Sequence, residues 1–172
     1  MSIFSINNNN AKAVLNKAQE DAKEKERVNE IASIAKGVYP LSPFLIKHKK
    51  TAQPLSYYIE QITQDRHGLD IDLSKVDDME QLWFVLTHID GMLWVFTHIE
   101  KATDPYVQDM VKFILKGEEY RPSCVSNSLP MLDLKNSSYR RIILVQEVED
   151  YSDPTPKFLA PLLPNEYFIA NL

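Results

Sequence analysis

Residues 86–100, LTHIDGMLWVFTHIE, say nearly the same thing twice. Thr87-His88-Ile89-Asp90 returns ten positions later as Thr97-His98-Ile99-Glu100. The fold turns on whether this stretch is one helix or a pair of strands. Asp90-Gly91 is a strong hairpin signal, and its flanks are rich in Trp, Phe, Val, Ile and Thr, as strands are. A two-residue turn would pair Thr87 with Trp94 and Trp83 with His98. The helical reading starts upstream, where Ser74-Lys75-Val76-Asp77 resembles a capping box with Asp for the usual Glu or Gln. Stepped at about 100° per residue, Leu82, Val85, Leu86, Ile89, Met92, Leu93 and Phe96 gather on one side. The polar residues Gln81, Thr87, His88, Asp90, Thr97, His98 and Lys101 gather on the other. We favour a helix over 77–101, kinked at Gly91.

Neither alternative makes the two histidines a metal site. On one helix, ten residues place them about 80° apart in azimuth and roughly 15 Å apart along the axis. On the hairpin they have opposite parity and face opposite sides of the sheet. A shared ion needs both nitrogens about 2.0–2.1 Å away. His98-Ile99-Glu100 with Pro122-Ser123-Cys124 echoes the zinc deaminase pattern, but the second cysteine is missing. No metal and no cofactor are expected. Each histidine reads as a polar-face or partly buried hydrogen-bonding residue.

Around this element, Thr103-Asp104-Pro105 offers a cap and a first-turn proline for a helix to about Lys116, stopped by Gly117. Val107, Met110, Val111 and Ile114 form its apolar stripe. A shorter helix is expected from Pro54 to about Arg66, and "LDIDL" (69–73) alternates like a short strand. The clearest strand lies in "RRIILVQEVED" (140–150). "PFLIKHKK" (43–50) mixes apolar anchors with a basic cluster, Lys47, Lys49 and Lys50. Pro122 to Pro130 is a turn-rich connection. The tail after Pro154 reads as an extended segment anchored by Phe158, Leu159, Leu162, Leu163, Tyr167, Phe168 and Ile169.

The N-terminus is different in kind. Residues 1–9 read as a mobile polar tail. Residues 10–37 are rich in helix-forming Ala, Lys, Glu and Gln, with Asn10 as cap and Gly37 as stop. Their apolar residues lie at the ends: Val14, Leu15 and Ala18, then Val28, Ile31 and Ile34. Gln19 to Arg27 is almost wholly polar. Such a helix cannot be buried along its length, so it reads as an arm that docks by its ends or by a thin Ala seam. Tyr39-Pro40-Leu41-Ser42-Pro43 separates it from a single body, residues 38–172. The expected fold class is α+β, mainly helical, with a compact body, a short strand component and the N-terminal helical arm.

Composition narrows the function. The 172 residues carry a formal charge of −5, which argues against a nucleic-acid backbone as partner. One cysteine, Cys124, allows neither an internal disulfide nor a multi-cysteine zinc site. Residues 1–10 have no signal-peptide pattern, and the longest apolar runs are far too short to span a bilayer. A cytoplasmic protein with no membrane contact is expected. No phosphate loop, dinucleotide fingerprint or G-x-S-x-G elbow is present. No catalytic residue is assigned. The reading is a non-enzymatic protein-binding protein: an adaptor, inhibitor, immunity factor or assembly component. Its partner is another protein, or a second copy through the arm, and Val28, Ile31, Ile34, Trp83 and Trp94 are the candidate binding residues. The alternative is a small hydrolase or transferase using Cys124, or a His–carboxylate pair assembled by the fold.

Overall fold

The computed structural model describes residues 3–38, 44–63, 68–88, 93–116, 118–132, 141–162 and 168–172. The Pro40/Pro43 break, Asp65-Arg66-His67, the Asp90-Gly91 turn, Gly117, Leu163 and Tyr167 lie outside the described residues. So do the side chains of Ile34 and Phe168.

The chain runs α1 (Ile3–Val38), β1 (Phe44–Lys49), α2 (Leu55–Thr63), β2 (Gly68–Asp72), α3 (Met79–His88), β3 (Leu93–Thr97), α4 (Pro105–Lys116), β4 (Arg141–Val148) and β5 (Phe168–Asn171). Single 3₁₀ turns follow β3 at Ile99–Lys101 and precede β5 at Lys157–Leu159. The fold is α+β, as expected, but its strand component is not short. Five strands form one sheet in the order β2-β3-β4-β1-β5, and every neighbouring pair is parallel.

The opening stretch is therefore neither one helix nor a hairpin. It is helix through His88 and strand from Leu93. Leu93 to Thr97 pairs with β2 on one side, and Leu93 to Phe96 with β4 on the other. A central parallel strand is covered on both faces, so it reads as a continuous apolar run without alternation. That run, Met92 to Phe96, is what made the helical wheel look plausible. The helix also starts later than the proposed capping box. Asp78 Oδ1 accepts the backbone N–H groups of Glu80 (2.9 Å) and Gln81 (3.0 Å), which makes Asp78 the cap. "PFLIKHKK" became β1 for the same reason as β3: Leu45, Ile46 and Lys47 are all buried between neighbours.

Side chains alternate between two cores. Leu45, Trp94, Phe96, Ile142 and Leu144 face Trp83 and Leu86 of α3 and Val107, Met110, Val111 and Ile114 of α4. Ile46, Val95, Ile143 and Val145 face Tyr58 of α2 and Val28 and Ile31 of α1. The connection through α2 moves one way across the sheet and those through α3 and α4 move back. Right-handed crossovers then put the helices on opposite faces. The predicted α4 stripe is buried at all four positions. The tail docks through Leu159, Leu162, Ala170 and Leu172, whereas Ile169 is exposed.

Helix α1 extends beyond the expected 10–37 at both ends, passing Gly37 and taking in residues 3–9. Adding residues to a formed helix costs far less than nucleating one, so neither the Asn run nor Gly37 stops it. Among its described side chains, the docking ones lie toward its C-terminal end. Val28 (2% exposed) and Ile31 (9%) pack on the sheet, while residues 10–23 are exposed throughout. Tyr58 donates to Glu24 Oε1 (2.9 Å) and accepts from the Gln53 N–H (3.3 Å). Arg27 holds both Glu24 oxygens at 2.9 Å and the Asn171 carbonyl at 3.0 Å. Burial, then the hydrogen bond to Glu24, pushes the Tyr58 phenol up to about 12. No described helix is long and apolar enough to cross a membrane.

Candidate functional sites

In open parallel sheets, ligand chemistry gathers outside the carboxyl ends of the strands. Here three adjacent strands deliver charged groups to that edge. β2 ends on Asp72, β3 is followed by His98, and β4 carries Glu147 near its end. His98 Nδ1 lies 3.1 Å from Asp72 Oδ1, and Nε2 lies 3.2 Å from Glu147 Oε2. Only the doubly protonated ring can donate to both at once. His98 is left-handed (φ 54°, ψ 42°), alone among the described non-glycine residues in having positive φ. This conformation turns the chain from β3 into the 3₁₀ turn and points the ring back along the edge. Glu100, in that turn, accepts the Glu147 N–H at 3.1 Å through Oε2. Its Oε1 is buried with no hydrogen-bond partner among the described residues.

Asp72 is the best-held carboxylate of the group. Its burial would raise the carboxyl. Hydrogen bonds from the Ser74 hydroxyl (2.6 Å) and N–H (3.0 Å), with Lys75 and the His98 charge, outweigh burial and bring it down to about 2. Ser74, read from sequence as a helix cap, thus completes a turn on Asp72.

The chain after β1 leaves by one face and the chain after β4 by the other, so the crevice expected at a strand-order reversal lies between these two ends. It is closed. The Lys50 N–H bonds the Val148 carbonyl (3.2 Å), and its ammonium reaches Glu149 (2.6 Å) and Glu147 (3.6 Å). Lys47, placed by sequence in a basic cluster, turns inward instead. It is 9% exposed and donates to the carbonyls of Tyr151 and Asp153, pinning the loop after β4. The Gln146 amide holds the same loop through the Pro154 carbonyl at 2.8 Å.

The sequence-selected residues do not meet. His88 ends α3, exposed and stacked on Phe84 (centroids 4.0 Å, 24° between planes), and its Nδ1 lies 2.8 Å from the Phe84 carbonyl. Among the described residues no three His, Cys, Asp or Glu side chains are arranged to hold a metal ion. Cys124 is exposed in a turn. Partial burial pushes its thiol up, and Asp104 and Glu80 push it further, away from the reactive thiolate. Trp83 and Trp94 are both fully buried in the α3/α4 core, and Trp83 Nε1 donates to the Pro130 carbonyl at 2.9 Å. Val28 and Ile31 lie in the other core, across the sheet. Arm and tryptophans therefore do not cover one another. The most exposed large apolar side chains among the described residues are Val14 (70% exposed), Leu15 (58%) and, on α3, Phe84 (51%); Tyr57, Tyr106, Met131 and Ile169 are exposed to a lesser degree.

Phe84 borders a recess of about 500 Å³ that Asp78, Glu80, Gln81 and Leu129 also line. Sequence reasoning missed this recess, and it allowed a fold-assembled His–carboxylate pair without identifying Asp72 and Glu147 as the partners of His98. The clasp had one signal: carboxylates at the ends of segments that read as strands, in "LDIDL" and "VQEVED". The recess had none, because Leu129 reaches α3 only through the connection after α4. No protein-family model matches the sequence, and no curated protein does.

Proposed function

We propose that this chain is a non-enzymatic, cytoplasmic protein-binding protein, an adaptor, inhibitor, immunity factor or assembly component, with α1 as its docking element. One observation carries the reading. α1 is fixed to the body at Val28 and Ile31, yet its other end holds Val14 and Leu15 out in solvent. A rigid helix with an apolar pair on its free end is suited to packing against another protein. The chemistry at the carboxyl edge agrees: both His98 nitrogens are engaged by carboxylates, and Lys50 pairs with Glu147 and Glu149 at the strand reversal.

The test is affinity capture with the full-length chain and the double variant V14E/L15E. Both side chains are exposed, so thermal stability should not change. The expected result is a polypeptide retained by the wild type and lost from the variant. Identical retained sets would refute the role of α1.

A second reading, a small hydrolase or transferase, is favoured by the His98 clasp, since an unusual backbone conformation often marks a working site. It requires turnover of activated esters or amides that disappears in His98→Gln. If wild type and variant behave alike, this reading falls.

A further inference from the structure

We infer that the recess beside α3 receives the free end of α1 from a second copy of this chain. The inference rests on the docking role of α1 proposed above and names its partner. At about 100° per residue, Val14, Ala18, Ala11, Ala22 and Leu15 fall within about 100° of arc. Lys12 stands about 60° beyond one edge; beyond the other, Asp21 stands at about 20° and Lys17 at about 60°. The free end of α1 is thus a narrow apolar ridge of mostly small residues, with exposed Lys12 on one flank and exposed Asp21 and Lys17 on the other. The recess offers such a ridge an apolar floor, and its carboxylates can meet the two lysines. Phe84 and Leu129 supply the apolar floor, and the exposed carboxylates of Asp78 and Glu80 stand at its border.

The two surfaces cannot meet within one chain. α1 docks on the face of the sheet opposite to α3, and its residues 10–23 run free of the body. The contact is therefore between chains, and it joins unlike surfaces. Such a contact can be reciprocated across a two-fold axis to close a dimer, or it can close larger rings or propagate as an open chain.

The experiment uses three full-length proteins: wild type, Leu15→Glu with a disabled ridge, and Phe84→Ser with a disabled recess. Sedimentation velocity is run from about 10 μM to about 1 mM, the range suited to a weak interface. Wild type should associate as concentration rises, to a closed dimer or to larger rings or chains, and each variant alone should stay monomeric. An equimolar mixture should form a heterodimer and nothing larger, because one intact ridge and one intact recess remain. Circular dichroism checks that the variants fold. If Phe84→Ser does not, Glu80→Lys replaces it. Glu80→Lys should weaken association, and Lys17→Glu in the partner chain should restore it. A wild type monomeric throughout overturns the inference, as does a mixture that stays monomeric. So does Phe84→Ser that still self-associates, which would mean pairing of two α1 ridges. The docking reading survives these failures if V14E/L15E still loses a captured polypeptide, and falls with them if it does not.

Discussion

Substituting His98 separates backbone geometry from side-chain contact. The ring touches Asp72 at 3.1 Å and Glu147 at 3.2 Å, and all three side chains are about one-quarter exposed. Charge-assisted hydrogen bonds at such partly screened sites contribute about 1 kcal/mol each. Removing the ring therefore costs about 2 kcal/mol and leaves Asp72 and Glu147 without their shared hydrogen-bond partner. The backbone contributes with the opposite sign. At φ 54° a side chain costs roughly 1–2 kcal/mol, which glycine escapes. Glycine loses about 0.5–1 kcal/mol through its freer unfolded chain. The difference favours glycine over alanine here by about 0.5–1 kcal/mol. Both variants should be less stable than wild type, His98→Ala by about 2 kcal/mol and His98→Gly by nearer 1 kcal/mol. Urea unfolding with unchanged slope measures this directly. If alanine equals or exceeds glycine, the left-handed conformation is not a stored cost. If both match wild type, the clasp contributes nothing.

The depressed Asp72 carboxyl makes stability depend on acid. With a folded value of about 2 against an ordinary 3.8, the group stabilises the fold fully above about pH 4 and loses that contribution as pH falls through about 2. The linkage amounts to about 2 kcal/mol at most, and solvent screening brings it nearer 1 kcal/mol. Asp72→Asn should flatten that part of the stability–pH profile, and an unchanged slope between pH 4 and 2 would refute the assignment. Tyr58→Phe removes the hydroxyl that joins Glu24 to the Gln53 N–H and should cost about 1–2 kcal/mol, read by thermal unfolding. A neutral result would mean that α1 is held by Val28 and Ile31 packing and the Arg27–Asn171 hydrogen bond. Cys124→Ser should leave both stability and partner capture intact, since the thiol is exposed and unactivated. Loss of capture by a folded variant would give the cysteine a role.

Local order was largely written in the sequence. The Asp104-Pro105 start and the Val107-Met110-Val111-Ile114 stripe fix α4, because capping and a 3.6-residue period are local properties. The strand in 140–150 and the half-exposed arm were legible for the same reason: a nearly all-polar stretch, Gln19 to Arg27, cannot be buried. What the sequence left open was decided by the sheet. A strand covered on both faces loses its alternation, so β1 and β3 could not be distinguished from apolar segments of other kinds until β4 lay between them. The same packing sent Trp83 and Trp94 into one core and Val28 and Ile31 into the other, although all four looked like candidates for one surface. The His98 clasp joins residues 26 and 49 positions away in sequence, and the recess joins α3 to Leu129. Contacts of that separation exist only once parallel strands are laid side by side, which no local propensity encodes.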